Sequence, residues 1–409
     1  MSTHPISPEL LATAAALALL LPACAAVRTP PPPAGASAAA KPPAGLSPRQ
    51  APQLVCFGSD DNGASGLPGS GAAGGMTFLT ELFAGRRNPA GSASAATFDG
   101  APARYSFYVN TYYLEPAAGT TAYAGAGRDD PYWVRRAWRL AVDAGHEIGV
   151  HTHSHPHGRE LSVAQWEAEM TRCIAALERP FDSAETAAAP APGAGLGVAR
   201  GELAGFRTPY LEYSDNTLAA VRRQGFRYDC SLEEGTQPDQ DGTDFIWPYR
   251  LDGGSPANPE IASHPGLWEI PVYVFIVPPD EACERLGVQR GLRTALKQRR
   301  EYFDPAVGKV TGMDWNLWCE FGMTPAEFLA TIRYTLELRL AGNRCPLTIG
   351  LHSELYSDRQ DTAECPTPVA ARRAAVAALL DHVLAVDEVR VVTARDLVAW
   401  LERPVPLGG

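Results

Sequence analysis

Glu147-Ile148-Gly149-Val150-His151-Thr152-His153-Ser154-His155-Pro156-His157 decides how the chain is read, because four of the nine histidines fall within seven positions directly after a short apolar run. The run reads as the end of a buried strand, and Pro156 breaks regular structure after the last ligand candidate. A spacing of four lets one tight turn aim His151 and His155 at one point, where neutral imidazole nitrogens hold Zn²⁺ at about 2.0 to 2.1 Å. Two ligands leave a site incomplete. An open catalytic centre needs a third protein ligand, so a carboxylate has to come from elsewhere in the chain. A bare H-x-x-x-H also occurs in adventitious metal-binding tracts and solvated loops, and only partners elsewhere decide between the two.

Those partners stand upstream. Order begins at Gln53-Leu54-Val55-Cys56-Phe57, an apolar run that ends in Gly58-Ser59-Asp60-Asp61-Asn62-Gly63, with two adjacent carboxylates at a strand end. The segment Gly66 to Gly75 lacks the Lys-Ser/Thr ending of a P-loop and reads as a mobile loop. Strand patterns follow at Arg104 to Asn110, Leu203 to Tyr210, Phe226 to Asp229, Leu267 to Val272, Leu347 to His352 and Val389 to Val392. Helical periodicity separates them at Tyr132 to Ala144, Leu161 to Leu177 with Ser162 as cap, Asp215 to Gln224, Pro325 to Leu340, Ala370 to Ala385 and Ala394 to Leu401. Short apolar strands alternating with helices predict an α/β fold with a parallel sheet, a closed or nearly closed (β/α)7-8 barrel. Chemistry in such barrels sits at the carboxyl ends of strands, where Asp60, Asp61, His151, His155, Arg207, Asp229 and His352 all fall.

A net charge of -11 and the lack of any basic run exclude a polyanion partner such as nucleic acid. The apolar run Leu10 to Leu21 followed by Leu21-Pro22-Ala23-Cys24 resembles the signal peptide and lipobox of a bacterial lipoprotein, although no Lys or Arg precedes it. About 12 apolar residues are too few for a comfortable membrane span. The expected organisation is therefore a signal peptide with lipobox at 1–24, a Pro/Ala-rich tether at 25–52, a catalytic domain at 53–403 and a tail at 404–409. Cys24 would carry a lipid and tie the protein to a membrane surface outside the cytoplasm; a simple secreted protein is the alternative. Seven further cysteines, an odd set, leave at least one free thiol in an oxidising compartment, and Cys56 is the candidate for a buried one.

The order Asp60-Asp61, His151-Thr152-x-Ser154-His155-Pro156, Arg207-Thr208-Pro209-Tyr210 and Leu351-His352 resembles the motifs of the polysaccharide deacetylases of carbohydrate esterase family 4. Phrases such as Leu82 to Pro89, Gly266 to Val272 and Val392 to Trp400 are similar to its chitin-deacetylase-like branch. The resemblance implies a distorted β/α barrel that removes N-acetyl groups from glycans with a divalent metal, usually zinc. Carried over, it makes Asp61, His151 and His155 the metal ligands, Asp60 the general base and His352 the general acid. It also makes Arg207 the residue that orients Asp60, and the backbone N–H of Tyr210 an oxyanion donor. Ser59 departs from the family, which usually has an aromatic residue there. For the carboxylate that tunes His352, Asp229 is placed ahead of Asp314 because it ends a strand pattern. The chemistry is coherent: an amide needs a Lewis acid to polarise it, one carboxylate for the metal, another for a proton, and an acid for the amine. Two other classes stay open: a carbohydrate-binding lipoprotein without activity, and a hydrolase of a non-sugar amide or ester.

Overall fold

The computed structural model describes residues 40–115, 129–360 and 365–408. The expected signal peptide, Cys24 and the first part of the tether lie outside the described residues. Residues 40–52, the end of that tether, lie against the body: Ala51 is buried, its carbonyl accepts from Arg344 Nη1 at 3.0 Å, and Gln50 O accepts from Leu407 N–H at 2.7 Å.

The first half of the chain alternates strand and helix. It runs β1 (Gln53–Asp60), α1 (Gly75–Ala84), β2 (Ser106–Val109), α2 (Pro131–Asp143), β3 (Glu147–Val150), α3 (Val163–Glu178), β4 (Gly205–Phe206), α4 (Asp215–Arg223) and β5 (Tyr228–Asp229). A series of two-residue strands follows: β6 (Glu233–Glu234), β7 (Tyr249–Arg250), β8 (Trp268–Glu269), β9 (Val272–Tyr273) and β10 (Phe275–Ile276). Then come α5 (Asp280–Cys283), α6 (Leu292–Arg299), β11 (Lys309–Val310), α7 (Pro325–Ala341), β12 (Leu347–His352), α8 (Val369–Leu384), β13 (Val389–Val391) and α9 (Ala394–Glu402). Helix starts follow local chemistry. Ser162 and Gln165 form a capping box on α3, Thr324 and Glu327 form one on α7 with Pro325 in its first turn, and the Thr393 hydroxyl accepts from Asp396 N–H on α9. Helix α1, which begins at the end of the segment read as a loop, was not expected from the pattern.

The strands order as β12-β1-β2-β3-β4-β5-β8-β7, with β13 also on β1, and every pair in this sheet but β7–β8 is parallel. The ladder ends at β12 and β7 instead of closing. Its ends approach through the chain beyond β8: Tyr273 N–H of β9 donates to Thr348 Oγ1 of β12 at 3.3 Å, and that hydroxyl donates to Pro271 O at 2.9 Å. The expected barrel is thus a curled, mostly parallel half-barrel. Parallel strands buried on both faces read as continuous apolar runs, which is why β1 stood out. Alternation divides its side chains: Val55 and Phe57 pack outward into the larger cluster with Leu79, Phe83 and Trp138, while Leu54 and Cys56 join Tyr108, Tyr228 and Tyr273 in the other. The second layer needs close approach. A Cβ at Gly149 would lie 2.5 Å from Tyr108 Cδ1, so the strand leading into the histidines requires glycine there.

Five cysteines, Cys56, Cys173, Cys230, Cys283 and Cys345, are buried thiols, and Cys319 is joined to Cys365. Among the described residues, no helix is long and apolar enough to cross a membrane.

Candidate metal centre and active site

Because β1, β3, β4, β5 and β12 run parallel, their carboxyl ends share one rim, and residues separated by up to about 290 positions meet there. Asp60 and His352 are register partners on β1 and β12, so their side chains point to the same face. His151 directly follows β3, and Arg207 directly follows β4.

Asp61, His151 and His155 are buried, and their ligating atoms all lie within 4.8 Å of one another. Asp61 Oδ1 is 3.9 Å from His151 Nε2 and 3.3 Å from His155 Nε2. The backbone bends sharply to do this: Asp61, Asn62, Thr152, His155, Tyr210 and Leu211 all have left-handed φ, between 53° and 73°. Non-glycine residues held there cost free energy, and their clustering at one rim marks the place where the fold gives up backbone comfort to aim side chains. Specific bonds hold the bends. Asn62 accepts from Ser59 Oγ at 2.6 Å and donates to Tyr108 O at 2.8 Å, and Asn62 O accepts from Trp138 Nε1 at 2.8 Å. Ser59, the departure from the family pattern, thus braces the turn that presents Asp61. Thr152 Oγ1 accepts from His155 N–H at 3.1 Å, and Glu169 of α3 takes the N–H groups of His153 and Ser154 at 3.1 and 2.8 Å.

The donor set fits a divalent transition ion. Burial pushes His151 down to about 4 and His155 down to about 3, so both imidazoles are neutral at pH 7, the form that ligates. Arg207 O takes the His151 Nδ1 proton at 2.8 Å, which leaves Nε2 to face Asp61. His153 and His157 point elsewhere. His153 Nδ1 is 3.0 Å from Thr111 Oγ1 and its Nε2 3.3 Å from Glu115, while the exposed His157 stacks on Tyr210 and meets Glu212 at 3.1 Å.

Asp60 is buried, which by itself raises a carboxyl, but Arg207, His151 and His352 together hold it below its ordinary value. Arg207 Nη1 is 2.9 Å from Asp60 Oδ1, its Nε donates to Cys230 O at 3.1 Å, and its guanidinium lies 4.3 Å from the Tyr108 ring centre. The arginine is therefore fixed on three sides.

Asp314, and not Asp229, supports His352. Asp314 Oδ1 is 2.8 Å from His352 Nδ1, and Oδ2 accepts from His352 N–H at 3.1 Å and from Tyr356 O–H at 2.8 Å. Burial lowers the imidazole, but Asp314, by hydrogen bond and by charge, outweighs it and lifts His352 to about 10. Asp229 stands on the other side of β2, β3 and β4 from β12 and is consumed locally, accepting from Ser231 N–H at 2.9 Å and Ser231 Oγ at 3.0 Å beside its ladder partner Glu269. A strand end was the wrong criterion, since the neighbour of His352 in space is set by the loop carrying Asp314, whose residue Met313 bridges Gly350. The Asp314-Trp315 pair was visible in sequence; Glu169 and Glu354, whose carboxylate accepts from Gly63 N–H, carried no sequence signal. Tyr210 lies against His155, ring centres 4.4 Å apart.

By fold and by site, the chain is an α/β half-barrel with a candidate His-His-Asp metal centre. Residues 87–201, which hold His151 and His155, match the family model described as polysaccharide deacetylase. Asp60, Asp61, Arg207 and His352 lie outside the matched segment and are joined to it by the fold. Among solved structures the chain is similar to one described as "putative polysaccharide deacetylase from Mycobacterium smegmatis", at 17% identity over 88% of this chain and 93% of that one, TM-score 0.47. It is also similar to PuuE allantoinase (17%, 88% and 94%, TM-score 0.41) and to a family 4 carbohydrate esterase from Streptomyces lividans in complex with acetate (18%, 44% and 64%, TM-score 0.25). No curated protein matches the chain.

Proposed function

We propose that the protein is a metal-dependent N-deacetylase that removes acetyl groups from a glycan outside the cytoplasm, of the chitin, peptidoglycan or exopolysaccharide type. The observation that carries the reading is the meeting, on one rim, of the Asp61-His151-His155 cluster with an Arg207-held carboxylate and an Asp314-held imidazole. Zinc held by Asp61, His151 and His155 would supply a Lewis acid that polarises the amide carbonyl and makes water a nucleophile near neutral pH. The rest of the step is protein chemistry. Asp60 Oδ1 is occupied by Arg207, so Oδ2 takes the proton of the attacking water. His352 Nδ1 is occupied by Asp314, so Nε2–H faces the departing amine, and the raised affinity of the ring for its proton keeps it charged until the C–N bond breaks. The peptide N–H of Tyr210 is assigned as the fixed donor to the oxyanion.

The test is acetate release by the zinc-loaded protein from chitin oligomers, peptidoglycan and acetylated exopolysaccharide, with a non-sugar acetamide as control. Asp60→Asn should abolish release while keeping bound zinc. Glycan binding without acetate release, or hydrolysis of the control alone, would overturn the reading. Export with lipid attachment at Cys24 is proposed from the Leu21-Pro22-Ala23-Cys24 run, and the Cys319–Cys365 bond supports an oxidising compartment. Mass spectrometry of the mature protein, showing loss of the residues before Cys24 and a lipid on it, tests this; an unprocessed chain would refute it.

A further inference from the structure

Asp61 reaches the candidate metal centre through a costly turn, because Asp61 and Asn62 are consecutive non-glycine residues with left-handed φ, 67° and 68°. The exit of that turn is clamped at Gly63. Gly63 O accepts from Asp129 N–H at 3.0 Å, and a Cβ at Gly63 would lie 2.3 Å from Tyr113 Cε1, so the peptide has no room to slide. Gly63 itself is buried, and its N–H donates to Glu354 Oε1. Glu354 comes from a distant part of the chain, the 3-10 turn Ser353–Tyr356 that directly follows β12. That turn is held at two points. Tyr356 O–H donates to Asp314 Oδ2 at 2.8 Å, in the lobe of α5, α6 and β11 that residues 280–323 form. Glu354 crosses to Gly63, and Ser353 Oγ donates to its Oε2 at 3.2 Å. One hydrogen bond therefore joins the residue two past Asp61 to the residue two past His352, at most about 7 Å of backbone from each.

We propose that Glu354 is a positioning residue that fixes Asp61 as a metal ligand and ties the ligand's turn to the strand end carrying His352. The inference rests on the metal reading of Asp61, His151 and His155 given above. A buried N–H has to be paired, so removing the acceptor from Gly63 leaves a polar group unsatisfied where water cannot replace it. The turn then relaxes toward ordinary backbone angles, and Asp61 swings away from the point it shares with His151 and His155. The other two ligands are held in the same manner. Glu169 takes the N–H groups of His153 and Ser154, which lie between His151 and His155. Each bend that aims a ligand is thus pinned by a carboxylate from a separate element, through backbone N–H groups close to the ligand. Contacts of this kind set the direction of a coordinating group, and their loss costs about 10- to 100-fold in metal affinity.

The experiment measures zinc affinity by competition with a chromophoric chelator, starting from zinc-free full-length protein, for the native chain and for Glu354→Ala, Glu354→Gln and Glu354→Asp. Thermal melting of each zinc-free form shows that it is folded. The Gln variant keeps an acceptor oxygen at the same reach, whereas Asp keeps the charge and falls one methylene short. The expected result is zinc binding about 10- to 100-fold weaker in Glu354→Ala and Glu354→Asp, with most of the loss recovered in Glu354→Gln. A lowered zinc-free melting temperature with native zinc affinity in Glu354→Ala would mean a role in stability alone and overturns the inference. Recovery in Glu354→Asp but not in Glu354→Gln makes charge, and not the bond to Gly63, the cause, and overturns it as well. Acetate release by the zinc-saturated native protein separates this inference from the proposed function. Native zinc affinity in Glu354→Ala beside normal acetate release by the native protein overturns the inference alone. Zinc binding that depends on Glu354, with no acetate released from any glycan, sustains the inference and overturns the deacetylase reading.

Discussion

Replacing Asp314 with Asn isolates the contribution of the acid. In the native protein the Asp314 carboxylate accepts from His352 Nδ1 at 2.8 Å, from His352 N–H at 3.1 Å and from Tyr356 O–H at 2.8 Å, and it keeps His352 protonated up to about 10. An amide keeps the shape and removes the charge. Burial, which favours the neutral ring, then acts unopposed by Asp314, and His352 titrates well below its native value. At pH 8 most of the acid is lost, and because general acid catalysis contributes about 10²- to 10⁴-fold, kcat should fall by that order. The alkaline limb of the pH–rate profile should move to lower pH. A cation at Asp61 pulls the native limb below 10 as well, so the decisive quantity is the displacement between the two proteins. An aryl acetate, whose leaving group departs without a proton, should be hydrolysed at nearly the native rate, while zinc content is unchanged. Stability follows the same linkage: His352 has a folded value above its unfolded one, so the pair stabilises fully below about pH 6.5 and that contribution disappears as pH rises through about 10. A variant with native kcat on amides and an unmoved alkaline limb would refute the assignment of His352 as acid and Asp314 as its positioning partner.

Removing one imidazole, in His155→Ala, should cut zinc stoichiometry measured by metal analysis after dialysis, and chelator treatment of the native protein should abolish activity with recovery on adding zinc. Arg207→Lys keeps the charge but not the two-sided hold on Asp60 Oδ1 and Cys230 O. With Asp60 less well held below its ordinary range, the acid limb of the rate profile should move to higher pH and kcat should drop about 10- to 100-fold. Opening the 46-residue loop with Cys319→Ser should lower stability by about 2 to 4 kcal/mol in denaturant titration. Turnover of short oligomers should be nearly native in that variant at temperatures below its transition.

What could be read in the chain was whatever is local in it. The apolar runs of β1, β3 and β12, the caps Ser162 and Thr393 and the four-residue spacing of His151 and His155 are properties of neighbouring residues, and each has one low-energy local outcome. The alternation of strand and helix then placed Asp60, Asp61, His151, His155, Arg207 and His352 at strand ends, and a parallel sheet puts all such ends on one rim without knowledge of their distances. The carboxylate that pairs with His352 across the rim was not legible. Asp229 and Asp314 have similar local credentials, and which one reaches His352 depends on how the 280–323 lobe packs against β12, a contact between distant parts of the chain. The same holds for the open edge between β12 and β7, which is set by the two-residue strands beyond β5 and not by any periodicity. It holds equally for Ser59, whose small hydroxyl makes sense only once Asn62 is seen beneath Asp61. Sequence alone determined which residues line the rim, because that follows from strand direction. Tertiary structure alone decided which of them touch, because hydrogen bonds are made or lost over a few tenths of an ångström, and only packing of the whole chain sets distance that finely.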